Sequence, residues 1–136
     1  MRARIEQELA LLRATFAAVD HAEAGGEDWF HIPSYGIPDG WLLNGQGVTK
    51  IPVAFLIKAD HPGGQPYGFL TPAGLTFRGK APQNTGAPPK PVPFEGNWLH
   101  FSWQPEAGWH PSDDLAQGSN LVSWARSFAA RLREGA

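Results

Sequence analysis

The sequence predicts an α+β domain, an antiparallel meander flanked by an N-terminal and a C-terminal helix, and three observations predict it. Apolar residues recur at helical spacing near both ends of the 136-residue chain. Between them lie short apolar runs separated by Gly and Pro, the punctuation of strands and turns. The links between those runs are too short for helical crossovers, so successive strands must run antiparallel. One domain is expected, since 42% hydrophobic residues in a chain of this length build a single core.

Each element follows from its own pattern. Ile5, Leu9, Leu12, Phe16 and Val19 fall on one stripe, with Arg and Glu on the other side, which predicts an amphipathic helix over residues 1–19. The meander occupies 28–58. Asp28 to Tyr35 reads as a strand that Pro33 assigns to an edge. Trp41-Leu42-Leu43 leads into Asn44-Gly45, a hairpin signal, and Ile51 to Ile57 is the longest apolar run. Residues 59–95 read as a Pro/Gly-rich flap: eight of the thirteen prolines lie between Ala59 and Pro93, though Tyr67, Phe69, Leu70, Leu75 and Phe77 argue for order, and Leu75-Thr76-Phe77 suits a short strand. Ala81 to Pro93 has no periodicity and is expected to be mobile. Residues 96–118 carry a strand in which Trp98, His100 and Ser102 alternate with Leu99, Phe101 and Trp103, followed by a loop. Leu121, Trp124, Ala125, Phe128 and Leu132 predict a final helix over 119–133, capped by Ser119 or Ser112, with Arg126, Arg131 and Arg133 toward its end.

Composition excludes several functions. A net charge of -2 with no basic run argues against nucleic acid. No apolar run approaches the roughly 20 residues of a membrane span, and the charged N-terminus does not read as a signal peptide, so a cytoplasmic protein is expected. There is no cysteine, hence no disulfide, no thiolate ligand and no thiol nucleophile. His61, His100 and His110 match no metal-ligand spacing, and neither metal nor cofactor is expected. Trp98, Trp103, Trp109 and Trp124 read as core, whereas Trp29 and Trp41 are open to a surface-anchor reading.

Residues Ile51 to Tyr67, with His61-Pro62 and Pro66, and the run from Gly108 to Leu115, with Trp109-His110-Pro111, together resemble the ubiquitin-conjugating (UBC-like) superfamily. The arrangement of Phe101-Ser102-Trp103 ahead of Trp109-His110-Pro111 is most similar to its prokaryotic family E, and the likeness covers roughly residues 28 to 133. It implies the UBC-like fold and a bacterial conjugation system, with an activating enzyme and a ubiquitin-like modifier as partners. The family's cysteine precedes the Trp-x-Pro by about eight residues, where this chain has His100-Phe101-Ser102, and no His-Pro-Asn triplet occurs in 93–97.

Without cysteine, the chemistry left open is a serine oxyester. Ser102 is the candidate nucleophile, with His100 or His110 as the base that a weakly acidic hydroxyl requires; the alternative is a core serine satisfied by the backbone. On a regular strand the Cα atoms of residues 100 and 102 lie about 6–7 Å apart on one face. Asn97 offers an amide to polarise a carbonyl. His110 with Asp113 or Asp114 fits a base and its orienting carboxylate, although first-turn acids of a helix are the plainer account of both aspartates. The further alternatives are an inactive member of the same fold that only binds a modifier or partner, and a small-molecule hydrolase, for which no G-x-S-x-G elbow is present.

Overall fold

The computed structural model describes residues 2–136. It is α+β, with two helices packed on one face of a six-stranded antiparallel sheet and a small three-stranded sheet beside it. The helices are α1 (Ala3–Thr15) and α2 (Leu121–Arg133). The strands are β1 (Asp20–Ala24), β2 (Glu27–Gly36), β3 (Trp41–Leu43), β4 (Gln46–Gly47), β5 (Lys50–Ile57), β6 (Phe69–Pro72), β7 (Leu75–Phe77), β8 (Thr85–Gly86) and β9 (Trp98–Phe101). The large sheet runs β1-β2-β5-β6-β9-β8 and the small one β4-β3-β7.

Helix α1 buries Ile5, Leu9 and Leu12 but stops at Thr15, short of the predicted end. Phe16 is already extended, and after it the chain turns so that Val19 enters the core from outside the helix. Gly25 and Gly26 both take positive φ and close a β1–β2 hairpin. Glycine pays no Cβ penalty in that tight turn, and β1, which the sequence pattern did not disclose, is the outcome. Asn44 and Gly45, also at positive φ, close a hairpin at the predicted turn, but its return strand is the short β4; the Ile51–Ile57 run joins the large sheet instead.

Strand β2 is not an edge. It pairs with β1 on one side and β5 on the other, and Pro33 sits where the register shifts between Ile32 and Tyr35. A bulge takes that residue out of the ladder, so the missing N–H costs no pairing.

The predicted flap is largely built into the fold. Phe69 and Leu70 lie on β6, in the middle of the large sheet, and Leu75 lies on β7; all three are buried. Within 81–93, β8 pairs with β9, and Arg131 Nη2 donates to the Gln83 carbonyl at 2.9 Å. A strap over 88–94 then crosses the sheet face opposite the helices, where Val92 and Phe94 pack on Trp29, Leu70 and Trp98, and Lys90 pairs with Glu27.

Both faces of the sheet are therefore covered. On the helix side Phe30, Phe55, Phe69, Phe101, Trp124 and Phe128 form one aromatic core, and the Phe69 and Phe128 rings stack at 4.3 Å. Trp29 and Trp41 are both 1% exposed, which overturns the surface-anchor reading of each. The Trp41 indole donates to the Leu132 carbonyl at 3.0 Å and ties the small sheet to α2. Trp98, Trp103 and Trp109, by contrast, are only partly buried. Among the described residues, no helix is long and apolar enough to cross a membrane.

Candidate functional site

The site is built around the C-terminal end of β9. His100 stands opposite Leu70 of β6, on the strap side of the sheet. Its ring lies directly over Gly68, where φ is +75° and any Cβ would overlap the imidazole and the Phe101 carbonyl. Only glycine fits such a place. The Tyr67 ring lies 6.2 Å from that of His100, and Tyr67, 55% exposed, is a large apolar side chain facing solvent. Burial lowers the His100 pKa below its ordinary value, with the Tyr67 backbone pulling weakly the other way. Desolvation penalises the charged form and so favours the neutral imidazole.

His100 opens onto a cleft of about 480 Å³ between the end of β5, the 60–68 loop and the strap. Leu56, Lys58, Asp60, Tyr67 and Lys90 line it with the histidine. Its walls come from segments far apart in the chain.

Ser102 lies one residue beyond β9 and outside the lining of that cleft. Its amide donates to the Asn84 carbonyl at 2.9 Å, but its side chain is exposed, which removes the core-serine alternative. Among the described residues its hydroxyl makes no hydrogen bond, to His100 or to any other base. The next residue is anchored on both sides. The Trp103 carbonyl accepts from the Gly68 amide at 2.9 Å, and its indole donates to Ser127 Oγ on α2 at 3.1 Å.

The other candidates do not gather around Ser102. Asn97 is exposed before the start of β9, about 16 Å from Ser102 by strand rise. The His110 ring bonds the Ala107 carbonyl of its own loop at 3.1 Å and, among the described residues, makes no hydrogen bond to either aspartate. Asp114 accepts from the Ala116 amide at 3.0 Å, a local turn, and Asp113 is exposed. Neither aspartate is in the first turn of α2, because the helix begins at Leu121; the 111–119 stretch is a loop closed by Gly118 at φ +82° and a Pro111–Ser119 bridge. The cap is Asn120, not Ser119 or Ser112: its side chain accepts from the Ser123 amide, and the Ser123 hydroxyl accepts from the Asn120 amide. Ser112 Oγ instead accepts from the Asp114 amide, and Ser119 Oγ from the His110 amide.

No family model, curated protein or solved structure matches the chain. The geometry itself therefore carries the reading, and one buried group organises it. Glu8 of α1 is fully buried; its Oε2 accepts from His61 Nε2 at 2.6 Å and from Arg4 Nε at 3.2 Å, and its Oε1 accepts from the Leu121 amide at 2.9 Å. Burial pushes the Glu8 pKa up, but the His61 bond and charge, the Leu121 amide and Arg4 outweigh it, and the carboxyl ends below its ordinary value. Arg4 also reaches the Ser112 carbonyl, Arg2 the His61 carbonyl, and the Trp109 indole donates to the Pro62 carbonyl at 2.7 Å. One carboxylate thus joins α1, the 60–62 turn and the start of α2, and the Arg4–Ser112 and Trp109–Pro62 bonds attach the Trp109 loop to them. His61 belongs to this network, His100 faces the cleft and His110 stands exposed on its loop, so the three histidines form no common site.

Sequence reasoning missed Gly68, Tyr67 and Glu8. Gly68 looked like one of many flap glycines, and Glu8 like a solvent-side charge of α1. Its position one residue before Leu9, on the edge of the apolar stripe, is the only local signal that Glu8 carried.

Proposed function

We propose that the chain is a UBC-like protein of a bacterial ubiquitin-like conjugation system, in which Ser102 accepts the modifier's activated C-terminal acyl group from an activating enzyme. The observation that carries the reading is an exposed hydroxyl one residue beyond β9, two residues after a half-buried imidazole whose pKa burial lowers. In the reaction the Ser102 hydroxyl proton passes to His100 as Oγ bonds the acyl carbon. The bond from that carbon to the activating enzyme breaks, and the leaving group takes the proton. An oxyester remains. Supporting the family reading, the two segments that carry the resemblance meet: the indole of the Trp-x-Pro run bonds the carbonyl of Pro62. This reaction uses Ser102 and His100 alone: Asn97 lies before β9, and the His110 ring bonds the Ala107 carbonyl.

The test is an incubation with modifier, activating enzyme and ATP. The expected product is a covalent adduct that survives thiol reductant, is cleaved by hydroxide or hydroxylamine, and is lost in Ser102→Ala. A second reading is favoured by the hydroxyl's lack of contact with any base: an inactive member of the fold that binds a modifier or activating enzyme through the exposed Tyr67 and the cleft. If an activating enzyme of demonstrated activity never loads the wild-type chain, the binding reading replaces the first.

A further inference from the structure

We propose that the β1–β2 hairpin holds a divalent transition cation, of the Zn²⁺ class, between His21, Glu23 and Asp28. A side-chain nitrogen of His21 and one carboxylate oxygen each from Glu23 and Asp28 all lie within 4.8 Å of one another. The strands place them there. His21 and Glu23 are two residues apart on β1 and so share a face. Glu23 is the direct partner of Asp28 across the hairpin, and His21 is the partner of Phe30, two residues further along β2.

Three features distinguish this cluster from a chance group of surface acids. First, an imidazole stands among the carboxylates, with Nε2 2.7 Å from Asp28 Oδ1, which makes a nitrogen–oxygen donor set suited to Zn²⁺. Second, the side chains of His21 and Asp28 are only 11% and 15% exposed, held between two paired strands, and a rigid scaffold is what keeps ligands in place. Third, Glu23 and Asp28 are like charges directly opposed across an antiparallel pair, an arrangement that costs stability. A cation between them turns that repulsion into ligation. Bonds of about 2.0–2.2 Å to each donor would replace the His21–Asp28 hydrogen bond and draw the three side chains together, and the fourth place would fall to water.

The cation would hold together the outer edge of the large sheet, where β1 pairs on one side only. It lies on a different strand pair from the Ser102 end of β9 and is independent of the conjugation reading.

The test is Zn²⁺ titration of the full chain by calorimetry, with thermal unfolding as a second readout. The expected result is one Zn²⁺ per chain and a rise in Tm on adding metal. Both effects should be lost, or the affinity weakened more than about tenfold, in His21→Ala and in Glu23→Gln. Glu23 is exposed, so its replacement leaves folding intact and keeps the test valid even where His21→Ala unfolds the hairpin. His31→Ala, on the opposite face of β2, should bind as the wild type does. Absence of Zn²⁺ binding by the wild type, or undiminished binding by Glu23→Gln, overturns the proposal.

Discussion

His100 on β9 and Ser102 just beyond it illustrate how two residues of one segment acquire different environments. The side-chain alternation that the sequence displays puts His100 on the strap side, and Gly68 then decides how deeply its ring is held. Replacing Gly68 by Ala forces a Cβ into the imidazole at a positive φ, so Gly68→Ala should destabilise by more than about 1 kcal/mol, measurable by denaturant unfolding. Burial of His100 also sets a pH dependence. Its folded pKa is below the unfolded value, so between the two the unfolded chain binds the extra proton. The contribution of His100 to stability is full above the ordinary histidine range and falls as pH drops through it toward the folded pKa. For the same reason oxyester formation should hold its rate to a lower pH than an ordinary histidine base permits. His100→Gln should slow Ser102 loading by about 10²–10⁴-fold and slow a Ser102→Cys variant much less, since a thiol ionises without that base. Equal slowing of both variants in single-turnover assays would remove His100 from the base role.

Among the elements, α2 is held at its N-terminus by a group from another helix. It has no acid in its own first turn, and Glu8 of α1 fills that place by accepting from the Leu121 amide. Removing a partner from a buried charged network leaves the others uncompensated, so Glu8→Ala should cost about 3–5 kcal/mol. The loss should appear as a lower Tm and as faster proteolysis of the 107–118 loop. Because the Glu8 pKa is depressed, its stabilisation is complete above the ordinary glutamate value and is lost as pH falls through the folded pKa. The local cap is a smaller term: Asn120→Ala should cost about 1 kcal/mol. Both helices were legible as apolar stripes. The start of α2 was not, because Ser112, Ser119 and Asn120 are all acceptable caps and the choice depends on where Gly118 turns the loop and where Glu8 waits.

At the scale of the molecule, the two helices and the Pro-rich strap cover opposite faces of one sheet. Deleting residues 2–15 would expose the partners of Ile5, Leu9 and Leu12, each worth about 1.5–3 kcal/mol when fully buried. The truncated chain should lose its cooperative thermal transition; an unchanged Tm would show that α1 is not part of the core. The sequence by itself determined the α+β class, the two terminal helices, the Asn44-Gly45 turn and the strand that starts at Trp98, although that strand ends at Phe101 and not at Trp103, because these depend on neighbours two to four residues apart. It did not reveal β1 or the central place of β2 and β6. Pro33 and the flap prolines suggest edge and loop, and only the bulge and the pairing partners reverse that. The cleft beside His100, the exposure of Ser102 and the Glu8 network belonged to the tertiary structure alone. Their parts are drawn from segments up to 113 residues apart, as Glu8 and Leu121 are, and no local pattern records which distant segments will meet.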